Sequence, residues 1–327
     1  MIAYVIRRLL NALLVLLAVA FISFLLFNFV GDPVSNMLGE NAPPADKEAL
    51  RVALGLDKPM LVQFVRFLQF AAVGEFGLSY RNLVPVAEVL RTRVPATLEL
   101  SVCAMALALS VGIPTGVFTG LYRNSVAAQA IQAFSLVGVS VPSFVTGILL
   151  ILVFAVELGW FASFGRGDVV AFGWWTTGLL TTSGLKSLIL PTITLALFPA
   201  TLIMRLVRAE MLEVLRADYI RFARARGLSR RAINFGHALK NTLIPVITIT
   251  GLQLGSVIAF AILTETVFQW PGLGLLVVQA MTFGDIPILS AYLLLVATLF
   301  VSINLTVDLL YYAVDPRLRV ERMAAAT

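Results

Sequence analysis

Six apolar stretches, near 9–30, 96–121, 130–156, 186–207, 244–267 and 289–313, constrain this chain more than anything else in it. At about 1.5 Å rise per residue, each is long enough to cross a hydrocarbon core of about 30 Å. The chain also lacks the polar surface that a soluble globule of its size requires. Of its 327 residues, 59% are hydrophobic and 13% charged, and the mean hydropathy is +0.94. The spacing predicts an all-α integral membrane protein with six spanning helices.

The first stretch resembles a secretory signal, because Arg7 and Arg8 precede LLNALLVLLAVA and Ala18-Val19-Ala20 has the form of a cleavage motif. Apolarity continues through FISFLLFNFV to Val30, whereas a signal core is about 7–15 residues, so a retained helix is expected. With six spans, both termini lie on one side. That side, including the 122–129 turn and the 205–243 loop, carries fifteen of the 24 Lys and Arg residues. The positive-inside rule makes it cytoplasmic. The expected organisation is an N-terminal spanning helix (1–30), an external segment with amphipathic helices (31–93), a membrane domain (94–313) and a cytoplasmic tail (314–327).

Within the external segment, Leu61, Phe64, Val65 and Leu68 fall at helical spacing, and Pro59 suits a helix start. Such a helix lies on the membrane surface or docks an external partner. Inside the spans, VGIPTG (111–116), VGVSVPSF (137–144) and LPTITL (190–195) concentrate Gly and Pro. Small residues let helices approach closely, and proline breaks survive in a membrane only where protein or water satisfies the freed groups. Together they fit a bundle that lines a route and moves.

Several chemistries are excluded. Net charge +6 and a pI near 9.8 do not signal nucleic acid, because the basic residues occupy gaps between apolar runs. Lys47, Lys58, Lys186 and Lys240 follow Asp, Asp, Leu and Leu, so no phosphate-loop nucleotide site can form. One Cys, Cys103, and one His, His237, cannot build a metal or protease centre with the carboxylates available. Neither a catalytic site nor a cofactor or metal site is expected. Glu99, Glu265 and Asp308 sit near span ends, which favours structural roles over an ion relay. Asp308 could cap, or pair with, Arg317 and Arg319.

The loop 208–243 carries the functional signal. A first helix is expected over about 207–226, ending at Gly227 in the left-handed conformation, with Ser229 capping a second helix through about Asn241. Ile220, Ala223 and Gly227 form an uncharged face narrowing to small residues, flanked by Arg216, Arg221, Arg224 and Arg226. Such a face could enter a groove of a partner protein, although a basic helix could equally rest on lipid.

This loop resembles the coupling loop of ABC-importer membrane subunits. The stretch AEMLEVLRADYIRFARARGLSRRAINFGHALKNTLIPVITITGLQLG is similar to that of the dipeptide/oligopeptide/nickel permease B-type family. The resemblance extends to VIRRLL, GDP (31–33), LGLDKP (54–59), GLSY (77–80), PATLELSVCAMALALSVGIPTG (95–116), LTETVFQWPGLG (263–274) and VDLLYYAVDPRLR (307–319). The general family pattern has Glu-Ala-Ala where this chain has Arg221, Phe222 and Ala223, and its Pro falls earlier than Pro245; both departures are similar to the peptide-permease branch.

The resemblance implies a type I ABC importer permease fold with both termini cytoplasmic, in a non-catalytic subunit of the inner membrane. The implied partners are a homologous second permease, two cytoplasmic ATPases holding ATP and Mg, and a periplasmic or lipid-anchored solute-binding protein. The implied cargo is a dipeptide or oligopeptide, with nickel complexes, glutathione, opines or sugars as alternatives, and an ion-coupled carrier as a remote one. Arg221, Phe222, Ala223, Arg224, Gly227, Leu228 and Ser229 would form the ATPase-coupling element. Glu265, Phe268, Trp270 and Pro271 would gate the outer mouth or meet the binding protein.

Overall fold

The computed structural model describes residues 2–29, 34, 38, 39 and 41–314. The GDP motif and most of the tail, with Arg317 and Arg319 as the anticipated partners of Asp308, lie outside the described residues. In chain order the helices are α1 (Ile2–Phe29), α2 (Pro44–Leu54), α3 (Met60–Val73), α4 (Val86–Leu121), α5 (Val126–Ser140) and α6 (Ser143–Leu150), the last continuing as a π-helical turn, Ile151–Glu157. A short antiparallel hairpin follows, β1 (Val170–Phe172) and β2 (Trp175–Thr177). Next come α7 (Thr182–Val214), α8 (Asp218–Ala225), a second π-helical turn (Ala232–Ala238), α9 (Leu239–Val267), α10 (Leu273–Phe283) and α11 (Ile286–Val314).

Among the described residues five helices are long and apolar enough to span a membrane, and a bent pair makes a sixth if its two halves are counted as one span. The continuous span expected over 130–156 is instead α5 and α6 meeting at 106° around Val141 and Pro142. Proline donates no N–H and pushes the preceding residue toward extended backbone, so the helix ends before it and restarts after it. Pro191 and Pro199 in α7, and Pro245 in α9, are carried without a break.

The chain forms two compact units. The first comprises Met1–Thr97, Val170–Thr177 and Pro271–Ser302. In it α3 packs on α1 through aromatic rings: Phe64 lies 5.5 Å from Phe21 and 5.3 Å from Phe24, and Phe67 lies 5.9 Å from Phe24. Leu61 and Val65 of the expected stripe are exposed, and the half-buried face carries Phe64, Phe67 and Leu68. The loop after α10 is tied down by buried Asp285, which accepts from the Ser79 hydroxyl at 2.5 Å and from the Tyr80 and Arg81 amides at 3.2 and 3.3 Å. The Arg81 guanidinium sits 3.5 Å over the Phe283 ring.

The second unit comprises Leu98–Val169, Gly178–Trp270 and Ile303–Thr327. Its spine is α7, against which α5, α6 and α9 pack. Helix α4 runs parallel to α7, with three glycines four residues apart facing it. A Cβ on Gly112 would meet the Ala200 carbonyl at 2.8 Å, one on Gly116 the Met204 carbonyl and Val207 at 2.7 Å, and one on Gly120 Met211 at 2.9 Å. Helix–helix attraction in lipid comes from contact rather than from expelled water, so glycine at these positions is what brings the two backbones together.

Candidate functional site

The α7 helix extends past its apolar run to Val214, where the chain turns through Leu215–Ala217 and re-enters a helix at Asp218. The helix expected over 207–226 is therefore two pieces. Ala217 is extended (ψ 149°), and Asp218 supplies the acidic first turn that a helix N-terminus favours. The end of α8 matches the sequence expectation. Gly227 has φ +77°, its amide donates to the Arg224 carbonyl at 3.0 Å, and the Leu228 amide donates to the Ala223 carbonyl at 3.3 Å. This double closure is the Schellman arrangement, which satisfies two carbonyls left over at the helix end.

Ser229 caps the next helix, accepting from the Ala232 amide at 3.3 Å. That helix does not stop near Asn241. It runs from Arg230 through the π-helical turn and Pro245 to Val267, so the loop and the fifth span are one continuous element. The proline removes the donor for the Asn241 carbonyl, and packing of α9 against α7 outweighs that loss. The Asn241 side-chain amide donates to the Tyr219 hydroxyl at 2.8 Å and to the His237 carbonyl at 3.1 Å, fastening α8 to the base of α9.

This packing reverses the face expected to meet a partner. Ile220 and Ala223 are buried within the chain, against the second π-helical turn, and cannot enter a partner's groove. The opposite face is open: Phe222 is 64% exposed, and Leu228 and Phe235 are also exposed. Arg221, Arg224, Gly227 and Ser229 are exposed around it. Arg226 lies 5.8 Å from the Phe222 ring, and Arg221 pairs with Asp218 at 3.3 Å in water. The site is an apolar knob ringed by arginines on a short, firmly anchored helix. Helical periodicity identified an uncharged stripe but could not say which side the rest of the chain covers.

At the other end of the second unit, where α9 finishes and α7 begins, Glu265, Phe268 and Trp270 are fully buried; Pro271, which opens a stretch of the first unit, is half-buried. The first three cannot touch an external partner in this conformation. They belong to a packed cluster in which the Gly165 amide donates to the Phe268 carbonyl at 2.9 Å and the Trp270 amide to the Glu265 carbonyl at 2.8 Å. Beside it Arg166, 5.8 Å from the Trp270 ring, forms a buried ion pair with Glu99, and Glu99 also accepts from the Gly178 amide at 3.0 Å. The structural role expected for Glu99 is thus given a partner, Arg166. The signal for Arg166 was a lone arginine in the turn-rich 158–181 stretch, needing a carboxylate that the N-terminal half of α4 holds. Among the described residues, no group of three or more His, Cys, Asp or Glu is placed to hold a metal.

Comparison with known proteins agrees with this architecture. Residues 112–320 match the family described as binding-protein-dependent transport system inner membrane component, and residues 1–101 match its N-terminal counterpart. The chain is 40% identical to the dipeptide transport system permease protein DppB of Alkalihalophilus pseudofirmus, over 98% of this chain and 100% of that one. It is also 40% identical to the di/tripeptide transport system permease protein DppB of Pseudomonas aeruginosa, with the same coverage. Among solved structures, an inward-facing conformation of the MetNI methionine ABC transporter matches with a TM-score of 0.55 at 20% identity, covering 69% of this chain and 96% of that one.

Proposed function

Because this chain belongs to the family of inner-membrane components of binding-protein-dependent transport systems, we propose that it is the permease subunit of an ATP-driven importer of short peptides. The observation that carries the peptide assignment is the end-to-end 40% identity to permeases named for dipeptides and for di- and tripeptides. The chain is a multi-pass inner-membrane protein, and ATP hydrolysis belongs to separate subunits. The excess of Lys and Arg on that side supports a cytoplasmic position for the termini and the 208–243 loop in this reading. The partners of this reading are a second, homologous permease, two ATPases that hold ATP and Mg, and a solute-binding protein on the outer face. This chain itself holds no cofactor.

In this mechanism the ATPase groove receives Phe222, while Arg221, Arg224 and Arg226 meet acidic groups at its rim. When ATP draws the two ATPases together, their grooves carry the coupling helices with them. The anchoring of α8 to α9 by Tyr219–Asn241 transmits that displacement. Since Arg230–Val267 is one helix, motion of the loop is motion of the fifth span, and rigid-body rotation opens the route outward. Solute released by the binding protein enters, and hydrolysis resets the assembly. Purification of the tagged chain should retain both ATPases and a second permease, and liposomes holding the complex should take up dipeptide only with ATP and binding protein. Uptake by the isolated chain on an ion gradient would overturn the assignment.

A further inference from the structure

A cavity of about 440 Å³ opens in the second unit between the α5–α6 break, α7 and α9. Its volume falls in the range of small-molecule sites, about 300–1,000 Å³. Gln253 lines it midway along α9, Pro199 lines it midway along α7, and Pro142 lines it at the break. Among the described residues Gln253 makes no side-chain hydrogen bond, and Ser256, three residues on, bonds only back to the Leu252 carbonyl at 3.1 Å. An amide at mid-span with no partner is unfavourable unless water or solute reaches it. The prolines add acceptors: Pro142 offers no N–H to the Gly138 carbonyl, nor Pro199 to that of Leu195, and Gly138 and Leu195 both line the same cavity. Irregular backbone at membrane depth persists where it lines a wet cavity or is covered by protein. Among the described residues no ionisable side chain lines it.

We infer that this cavity is a subsite on the translocation route that holds the main-chain amides of a short peptide in transit, an inference resting on the permease reading above. Gln253 both donates and accepts, which matches the N–H and C=O of a peptide unit, and the proline-freed carbonyls take further N–H groups. Because the lining carries no charge, the subsite reads what peptides share and is indifferent to the charge of their side chains.

The test uses the complete complex in liposomes with labelled alanyl-alanine, in a Cys103→Ser background. Gln253→Leu keeps the size and removes the hydrogen bonds, and should lower ATP-driven uptake about fivefold or more. Dipeptide affinity of the soluble binding protein and basal ATP hydrolysis should stay unchanged. Ser256→Cys should react with a water-soluble methanethiosulfonate reagent, more slowly while alanyl-alanine is being transported. Full uptake by Gln253→Leu, together with labelling of the Ser256→Cys variant that is indifferent to peptide, would overturn the subsite while leaving the permease reading intact. A parent complex that takes up no alanyl-alanine with ATP would overturn that reading, and the subsite with it.

Discussion

Two arginine–carboxylate pairs in the second unit have the same chemistry and opposite consequences. Glu99 and Arg166 are buried, with 2% and 6% of their side chains accessible; Asp218 and Arg221 are open, at 95% and 71%. The first pair joins the 158–181 stretch to the N-terminal half of α4, far apart in sequence, and each partner needs the other because a lone buried charge is strongly unfavourable. The second lies within one turn of α8, is screened by solvent, and adds little to stability. Its arginine remains available to a partner. Buried charge fixes one end of the unit, and open charge is left for association at the other.

The comparison breaks most readily at the buried pair. Arg166→Met alone should destabilise the protein by about 3–5 kcal/mol, because the buried Glu99 would lose its counter-charge. The double variant Arg166→Met, Glu99→Leu should recover most of that loss, since replacing both charges with apolar groups of similar size is often neutral. Thermal unfolding in detergent, read by tryptophan fluorescence, checks both. If the double variant lost as much as the single, the pair would not be the joint described.

A smaller effect is expected at the α4–α7 seam. Gly116→Val places its Cβ against the Met204 carbonyl and Val207, and backbone cannot yield as a flexible side-chain tip can. A loss of about 1–3 kcal/mol in the same measurement follows from overpacking. An unchanged midpoint would show that the two helices separate freely.

Gly227 occupies the other extreme of packing, because a Cβ there meets nothing within 4 Å, and only φ +77° opposes substitution. Gly227→Val should therefore lower stability by about 1–2 kcal/mol, the strain of a left-handed residue, while abolishing ATP-driven uptake through a displaced loop. Gly227→Asn, which tolerates this conformation, should retain transport. Normal uptake by the valine variant would detach the helix end from coupling.

These contrasts also mark what the sequence could convey. Local rules located the spans, the left-handed end at Gly227 and the Ser229 cap, because each depends on a few neighbouring residues. The Val141–Pro142 bend was visible as a proline but not as a 106° turn, since proline is carried without a break elsewhere in the same unit. Hydropathy placed the start of the fifth span near 244, because polar Asn241 and Thr242 interrupt the pattern; their side chains donate back to the His237 and Ala238 carbonyls, and the helix runs across them. Glu99–Arg166 joins residues 67 apart and Ser79–Asp285 residues 206 apart, beyond any spacing rule. The orientation of α8 was the most consequential omission, for it decides whether Ala223 or Phe222 meets a partner.

The smallest stability effect is expected at Arg221, and it discriminates most sharply between the two ends. Arg221→Ala should change stability by no more than about 0.5 kcal/mol, because a screened pair within one helical turn holds little of the fold together. Phe222→Ala should be equally mild, since the ring is 64% exposed and fills no cavity of this chain. Both should nevertheless weaken co-purification of the ATPases, Phe222→Ala by about tenfold or more if the ring is the central anchor, and Arg221→Ala less and in a salt-dependent manner. Stability and association would then separate: variants at the buried pair lower the unfolding midpoint, and variants on the knob release the ATPase from a folded permease. Should Phe222→Ala keep its ATPases while Ile220→Ser loses them with its midpoint unchanged, the docking face would be the one turned inward in this conformation, and α8 would have to roll to engage.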